Sequence, residues 1–575
     1  MQRYIKKYYN KKLLFISAFG IIIAGIIPAL LLPVRGKMID FALTSSNKFL
    51  PYALLLIVLV FSQAALANIQ ERISKIQQIA ISHGLDKERL KHCVKLPFTF
   101  TETEEFFKLN AEASEAPSLM EEIYACSVSA LQCAVQLVST LISICFVNAY
   151  VAIGIVLLIC IGFALNSLQV KNIINLWTNY RQNIRKGDYL SGILLKTEFV
   201  NERKIFNFEA DIEKAFDIEH SKALKANTKL GMKRLALESF SQIANACFTV
   251  VALMLLAKPL WNKSITLGIF LSAFYATIRL IPCANQLISS AYTYAANLKK
   301  LLPYEILMKK EKEQENPSTG AKHEEFQTLE FRNVSFQYPN TKEAVLKDIS
   351  FKLEKGKHYA LVGENGSGKT TLLKCLIGLY PPKTGEILIN QKSINSFYKN
   401  TLHKMLTAVF QDYYHYPLSL RENILLCTEK EISDETIFST MKSLHMEELL
   451  KNLPNGLDSE LLLMKEKSTE LSGGEWQKLS VIRCILSDSS FAMLDEPNSA
   501  LDPIVEASIY EAYKKMLSNK TTMFISHRLG SVKIADEILV LKDGRILAQG
   551  SHNELMKSCN YYATLFETQK GFYEK

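Results

Sequence analysis

The sequence predicts an α-helical membrane domain, with six transmembrane helices and long cytoplasmic extensions, followed by an α/β domain with a phosphate-binding loop. Long uncharged apolar runs crowd the first half of the 575 residues. After a charged linker, short β-rich runs alternate with helical stretches, which is typical of a layered, mainly parallel sheet. We expect a membrane domain over 1–308, a linker over 309–325 and an α/β domain over 326–575.

The composition excludes several other classes of protein. Apolar residues make up 48% of the chain, which excludes a disordered chain, and only 24 residues are glycine, which excludes a collagen-like one. The net charge of +10 fits anionic lipid better than nucleic acid because apolar spans are present, so no nucleic-acid partner is expected. The eleven cysteines form no CxxC pair, which favours buried, reduced thiols.

Six apolar runs match the length that a helix needs to cross roughly 30 Å of hydrocarbon. The first five carry no Asp, Glu, Lys or Arg, and the sixth contains one arginine. The runs are 13–34, 49–69, 125–147, 149–170, 239–257 and 264 to about 296. Six spans place both chain ends on the same side, and the basic N-terminal tail favours a cytoplasmic start.

Two long segments between spans, 70–124 and 171–238, are mixed in charge and poor in Pro and Gly. They predict helices that continue several turns into the cytoplasm. The chain should turn back near 97–110 and 201–209. We expect short helices that contact another domain there, and plain surface loops are the alternative.

The strongest motif is GENGSGKT at 363–370, which fits the pattern G-x-x-x-x-G-K-[ST] and stands between a strand and a helix. Its glycines allow backbone N–H groups to surround phosphates at a helix N-terminus. We expect Lys369 to reach the β- and γ-phosphates and Thr370 to bind Mg²⁺. The nucleotide-binding candidates here are Gly363, Asn365, Gly366, Ser367, Gly368, Lys369, Thr370 and Thr371.

Two further motifs complete the candidate site. FAMLDE predicts a buried strand that brings Asp495 to the metal and Glu496 to an attacking water, whereas two solvated acids are the alternative. LSGGE places Ser472, Gly473 and Gly474 at the start of a second helix, where they can bind phosphate. One chain cannot easily bring both loops to one nucleotide, but two chains arranged head to tail could hold two.

The half from 326 onward resembles the nucleotide-binding domain of an ABC transporter. LSGGE is similar to that family's LSGGQ signature, and other elements match in order. Tyr338 corresponds to the aromatic residue that stacks on adenine, Gln411 to the loop glutamine that senses Mg²⁺, Asp502 in SALD to the loop that crosses the dimer interface, and His527 in ISHR to the switch histidine.

The resemblance implies ATP and Mg²⁺ as cofactors. It implies catalytic roles for Gln411, Glu496 and His527, with Thr370, Gln411 and Asp495 around the metal. The sequence departs from the family in two places: Glu475 stands where Gln is usual, and the stretch MKEKSTE before the signature has Lys465 and Ser468 in place of glycines.

The six-span first half resembles the membrane domain of an ABC exporter half-transporter. In that family the two cytoplasmic turns are coupling helices. LSGGEWQK, NERKIFNFE, FQDYYHYPLSLRENI and PFTFTETEEFF look closer to lantibiotic-type peptide exporters of bacteria. No cysteine-protease domain precedes the first span, so we expect another protein to cleave any leader peptide.

These features predict an ATP-hydrolysing exporter in the cytoplasmic membrane, with a second copy of the chain as partner in a homodimer. The expected cargo is a peptide, and enzymes of its biosynthesis are candidate partners. Alternatives are an exporter of lipids or lipophilic drugs, or an ATP-gated channel or regulatory subunit. Arg279 in the sixth span is a candidate cargo residue, or else a charge that pairs with a polar neighbour or reaches toward the cytoplasm.

Overall fold

The structure is a computed structural model. It describes residues 11–147, 149–154, 156, 157, 160, 186–196, 199–311, 325–339, 341–397, 399–426, 428, 430–461, 469–496, 515, 518–525, 532, 533 and 535–573. The chain divides into two compact units, of which unit 1 is Met1–Leu96 with Phe100–Lys312 and unit 2 is Pro97–Thr99 with Glu313–Lys575. Most of the expected linker lies outside the described residues, and the domain boundaries stay predictions.

The membrane unit is built from long helices. The helices with defined bounds up to residue 309, long and short, are α1 Lys11–Leu43, α2 Phe49–Cys93, α3 Phe98–Thr101, α4 Glu104–Ala113, α5 Ala116–Val147, α6 Val200–Phe206, α7 Glu209–Trp261, α8 Leu267–Lys300 and α9 Leu302–Lys309. The 45 residues of α2 and the 53 of α7 confirm that helices continue well past the apolar runs.

Four helical stretches among the described residues are long and apolar enough to cross a membrane, and they contain the first, second and third predicted spans and all but the first three residues of the sixth. They are Lys11–Leu43, Phe49–Cys93, Glu104–Val147 and Leu267–Lys309. The fifth predicted span lies in α7, where a shorter apolar stretch, Asn245–Trp261, is found. Most of the fourth, 149–170, lies outside the described residues.

Three of these helices, α1, α5 and α8, pack closely although they are far apart in sequence. The Ser139 hydroxyl donates a hydrogen bond of 2.6 Å to the Gly25 carbonyl oxygen, which joins α5 to α1. A side chain at Gly25 would approach Val135 to 2.5 Å, so glycine permits this close contact. The Asp40 carboxylate on α1 accepts a hydrogen bond of 2.9 Å from the Gly268 amide at the start of α8.

Short helices occupy both predicted turning points. Near 97–110, α3 is followed by α4, whose cap Thr103 accepts a hydrogen bond from the Phe106 amide. Near 201–209, α6 ends at Phe206, and the next residue, Asn207, adopts a left-handed conformation with φ of 53° that breaks the helix before α7. The helices are thus confirmed, while their contact with another domain stays a prediction.

Unit 2 contains strands and helices in alternation. The strands are β1 Thr328–Phe336, β2 Leu346–Glu354, β3 His358–Val362, β4 Thr384–Ile389, β5 Lys392–Ser393, β6 Leu406–Val409, β7 Phe491–Asp495, β8 Thr521–Ile525, β9 Glu537–Lys542 and β10 Arg545–Gly550. The helices with defined bounds are α10 Lys369–Leu376, α11 Lys399–Met405, α12 Leu420–Leu425, α13 Asp434–Ser443, α14 Glu447–Asn452, α15 Gly473–Leu486, α16 His552–Ser558 and α17 Asn560–Tyr573.

The strands form two sheets. The order β10-β9-β3-β8-β7-β6 makes a six-stranded sheet that is parallel except for the edge pair of β9 and β10. Because β3 and β7 both flank β8 in parallel, Val362 and Asp495 end their strands at the same edge of the sheet. Loops that follow these two strands therefore meet, as is usual for ligand sites in parallel sheets.

The second sheet, of order β2-β1-β4-β5, is antiparallel. The sequence predicts a mainly parallel sheet, which is confirmed for the larger sheet, but the run TLEFRNVSF belongs to this separate one as β1. Buried aromatic side chains from it, such as Phe331 and Phe351 with ring centroids 4.5 Å apart, join the core that covers α10.

Candidate nucleotide site and comparison with known proteins

The phosphate-binding loop holds its lysine in place by hydrogen bonds to its own backbone. The Lys369 ammonium group is buried and donates hydrogen bonds to the carbonyl oxygens of Gly363 at 2.9 Å and Glu364 at 2.8 Å. Burial lowers the pKa of Lys369, and the carboxylates of Glu496 and Asp495 oppose that shift. The loop thus carries a positive charge at its centre, where phosphate oxygens would be attracted.

Glycine is required at both ends of this loop. Gly368 has φ of 105°, a left-handed conformation that side chains rarely adopt, and it precedes Lys369 at the start of α10. At Gly363 a Cβ atom would come within 2.2 Å of the Leu541 carbonyl oxygen. Within this loop the Ser367 hydroxyl is buried and has no hydrogen-bond partner among the described residues.

The metal candidates Thr370 and Asp495 meet across the sheet edge. The Thr370 hydroxyl donates a hydrogen bond of 3.2 Å to Asp495 Oδ2. Burial raises the pKa of the Asp495 carboxyl to about 6, nearby Glu496 and Asp412 add to the increase, and the bond from Thr370 opposes it. A hydroxyl and a carboxylate are oxygen ligands of the kind that Mg²⁺ prefers, so this pair fits the ion.

Backbone contacts fix Glu496 beside Asp495. Its φ of 49° is left-handed, so the chain turns sharply at the end of β7. The Glu496 amide donates to the Ile525 carbonyl oxygen at 3.0 Å, and the Gln477 carboxamide donates to the Glu496 carbonyl oxygen at 3.0 Å. A residue held in a strained conformation by several neighbours is typical of functional sites.

Tyr338 lies next to the helix that follows the loop. Its hydroxyl is 3.0 Å from the hydroxyl of Thr371, and its ring meets those of Phe336 and Tyr380 edge to face. The ring is half-buried. The structure therefore places two sequence candidates, Tyr338 and Thr371, in direct contact.

The signature segment begins α15 with a reciprocal cap. The Glu475 carboxylate accepts hydrogen bonds from both the amide and the hydroxyl of Ser472, each at 2.7 Å, and the Glu475 amide donates back to the Ser472 hydroxyl. The Ser472 hydroxyl, which the sequence analysis assigns to phosphate, is thus bonded to Glu475, the residue that departs from the family motif. Gly473 and Gly474 form the first turn behind them.

Aromatic residues after Gln411 contact the signature helix, and the sequence did not predict these contacts. The Tyr413 hydroxyl donates a hydrogen bond of 2.7 Å to the Gly473 carbonyl oxygen. The His415 ring stacks on Trp476, with centroids 4.4 Å apart and planes inclined by 8°. The repeated aromatic residues in FQDYYHYP, together with Trp476, were the available signal.

The remaining candidates are placed as follows. Gln411 is exposed and lies two residues after the end of β6. The charge of its neighbour Asp412 contributes to the raised pKa of Asp495. His527, Asp502 and the two departing residues Lys465 and Ser468 lie outside the described residues. Arg279 is on α8, where its guanidinium group lies beside the Tyr275 ring, in the membrane unit.

Comparison with known proteins agrees with this geometry. Residues 346–499 match the family model described as "ABC transporter". The subtilin transport ATP-binding protein SpaT of Bacillus subtilis is 33% identical over 390 residues, which are 67% of this chain and 63% of that protein. The nisin transport ATP-binding protein NisT of Lactococcus lactis is 36% identical over 42% of this chain and 41% of its own length.

A third relative is the ATP-dependent lipid A-core flippase of Pseudoalteromonas atlantica, 31% identical over 62% of this chain and 61% of that protein. The chain thus spans less than two thirds of the length of each of these three relatives. A solved structure of a bacterial Atm1-family ABC exporter with ATP bound is 21% identical, covers 96% of this chain and 98% of its own, and superposes with a TM-score of 0.78. The chain therefore carries an ABC transporter ATP-binding domain, fused to a helical membrane domain in the fold of an ABC exporter.

Proposed function

We propose that the chain binds Mg²⁺ and ATP, hydrolyses the ATP, and uses the energy to export a peptide across the cytoplasmic membrane. The observation that carries the proposal is the meeting of Lys369, Thr370 and Asp495 at one sheet edge, with Glu496 directly beside them. Positive charge, metal ligands and an acid next to the expected γ-phosphate are the parts that phosphoryl transfer to water requires.

Each group has a distinct role in this proposal. The loop amides from Gly363 to Gly368, together with Lys369, bind the phosphates, and the Tyr338 ring stacks on adenine. Thr370, Asp495 and Gln411 bind Mg²⁺ directly or through water, and the ion neutralises phosphate charge. Glu496 orients and polarises the attacking water, while His527 contacts the γ-phosphate.

We propose a homodimer because the loop and the signature are both complete in one chain. Lys369 and Ser472 begin separate helices, α10 and α15. In a head-to-tail pair, the signature of one protomer closes the nucleotide site of its partner, with Asp502 near the shared interface. ATP binding would then bring the two ATP-binding domains together, and hydrolysis would release them, so that the cargo path through the membrane domains opens alternately to each side.

A peptide is the proposed cargo. Support comes from the subtilin and nisin transport proteins, which are 33% and 36% identical over their matched regions. A second candidate is a lipid, supported by the 31% identity to a lipid A-core flippase. Lipophilic drugs, ATP-gated conduction and a regulatory role remain alternatives without an observation that favours them.

The proposal is tested with the full-length protein in liposomes, with the ATP-binding domains facing outward. A mixed pool of synthetic peptides, labelled lipids and lipophilic drugs is supplied with Mg²⁺ and ATP, and the contents of the vesicles are analysed. ATP-dependent accumulation of peptides supports peptide export. Accumulation of lipids or drugs alone contradicts it, and Glu496→Gln provides the control that binds ATP without turnover.

A further inference from the structure

A small cavity lies between α1, α5 and α8 of the membrane unit. Its polar lining consists of two guanidinium groups, a phenol ring, a carboxamide and two hydroxyls, which come from Arg35, Arg279, Tyr275, Gln136, Thr140 and Ser272. The cavity volume is about 30 Å³. Since a cavity needs roughly 10 to 15 Å³ to hold one water, this cavity has room for a group of two or three heavy atoms but not for a whole peptide or lipid.

The positive charge at this cavity has no acidic partner among the described residues. The guanidinium carbon of Arg35 lies 4.2 Å from the centroid of the Tyr275 ring, and that of Arg279 lies 5.3 Å from the same centroid. The Asp40 carboxylate, one turn beyond Arg35 on α1, is bound instead to Gly268 and Thr266. One ring supports each cation by only about 0.5 to 2 kcal/mol, so two neighbouring like charges remain uncompensated.

The hydroxyls in the lining are also without partners. Thr140 and Ser272 are 3% and 1% exposed, and neither hydroxyl has a hydrogen-bond partner within the described part of the chain. Other hydroxyls in these helices do bond to carbonyl oxygens, as Ser143 does to Ala29 and Thr277 to Ala273. An unsatisfied buried hydroxyl costs about 1 to 3 kcal/mol, which a ligand that accepts a hydrogen bond would recover.

We propose that this cavity binds a carboxylate group of the exported cargo. Both guanidinium groups neutralise its charge, and Thr140 and Ser272 donate hydrogen bonds to its oxygens. Both arginine side chains contact the Tyr275 ring and line the same cavity. This inference rests on the proposed function and defines the substrate class as peptides with an accessible carboxylate, whose remaining residues lie outside the cavity.

The test compares peptides that differ only in this group. A synthetic peptide pool is made with free C-terminal carboxylates and again with C-terminal amides, and both forms compete for the protein in phosphatidylcholine nanodiscs without ATP. Equilibrium dialysis with mass spectrometry measures the ratio of bound carboxylate to bound amide. We expect the carboxylate form to bind about tenfold better or more, as hydrogen bonds to a charged group imply.

Three variants make the test specific. Arg279→Gln removes one charge and should bring the ratio close to one, while Arg279→Lys should retain part of the preference. Thr140→Val removes only a hydroxyl without a partner, so it should lower the ratio without lowering the unfolding temperature. Lys37→Gln removes an exposed charge from the same helix as Arg35, outside the cavity lining, and should leave the ratio unchanged.

Equal binding of both peptide forms to the unmodified protein overturns the inference, as does a ratio that Arg279→Gln and Lys37→Gln lower equally. A preference that disappears in phosphatidylglycerol nanodiscs would assign the cavity to a lipid phosphate and overturn the peptide assignment. Failure of the proposed function has a different signature, because liposomes would then accumulate no peptide of either form even when the binding ratio is high.

Discussion

The nucleotide site and the membrane cavity both gather cations and hydroxyls, but they differ in how those groups are satisfied. In the nucleotide site, Lys369 is bonded to two loop carbonyls and Thr370 to Asp495. In the cavity, two arginines share one ring, and the hydroxyls of Thr140 and Ser272 have no partner in the described structure. The first site is held by its own bonds, whereas the second is held by the packing of helices.

The two sites differ because the phosphate loop is one segment of the chain, whereas the cavity is formed by three separate helices. In the phosphate loop, Lys369 bonds to the carbonyl oxygens of residues five and six positions before it, so the position of this side chain is set within one continuous segment. The cavity takes Arg35, Thr140 and Arg279 from three helices, and each of these residues is more than a hundred positions from the next. Its unpaired polar groups are stable only because surrounding apolar contacts keep the helices together, and they leave bonds free for a ligand.

The largest effect is predicted for loss of the Lys369 side chain, which forms hydrogen bonds within the phosphate loop. Lys369→Met deletes an ammonium group that would bind phosphate, so ATP affinity should fall roughly 10- to 100-fold, the range expected for hydrogen bonds to a charged group. A fluorescent ATP analogue measures the change. Lys352→Met, at an exposed position on β2, is the control. Equal affinities of Lys369→Met and unmodified protein would remove Lys369 from the phosphate site.

A smaller effect is predicted for Tyr413, whose hydroxyl bonds to the signature segment although the two are sixty residues apart in sequence. Tyr413→Phe removes the hydrogen bond to the Gly473 carbonyl oxygen. We expect ATP turnover to fall about threefold to tenfold, because one neutral hydrogen bond of about 1 kcal/mol no longer positions the segment, while ATP affinity changes little.

The neighbouring Tyr414 provides the matched control for this measurement. Its exposed ring contacts Tyr416, and its hydroxyl forms no hydrogen bond with any described residue. Steady-state kinetics should therefore separate Tyr413→Phe from Tyr414→Phe. If both substitutions reduced turnover alike, the contact with Gly473 would have no positioning role.

The smallest predicted effect compares two adjacent hydroxyls on α5. Ser139 donates to Gly25 on α1, so Ser139→Ala should lower the free energy of unfolding by about 0.6 kcal/mol, a typical value for hydrogen bonds between membrane helices. Thr140→Val should leave stability unchanged or raise it, because its hydroxyl has no partner. Thermal unfolding in detergent tests the pair, and a greater loss for Thr140→Val would contradict the unpaired cavity.

Much of the nucleotide site could be predicted from the sequence. The loop from Gly363 to Thr370 and the strand that ends at Asp495 were both located by local patterns, because a strand, a glycine-rich turn and a helix start each have their own residue preferences. The partner of Tyr413 could not be predicted in this way. Its bond to Gly473 spans sixty residues and depends on how α15 packs against the segment after β6.

The same distinction holds in the membrane unit. Hydropathy located the spans that form α1, α2, α5 and α8, since the bilayer requires a minimum apolar length. It placed the end of the first span too early, because the apolar run stops at 34 whereas α1 continues to Leu43. The antiparallel sheet that contains β1 was also missed, because strand pairing is non-local and an isolated β-rich run does not reveal its neighbours.

Local sequence alone was thus sufficient for the phosphate loop, the acidic end of β7, the signature helix and four of the apolar spans. These depend on short-range preferences and on apolar length. Only the tertiary structure brought Arg35 and Arg279 to one tyrosine ring and left Thr140 and Ser272 without partners beside them. Such a site arises when helices distant in sequence pack together, and the residue pattern of a single helix does not predict which helices become its neighbours.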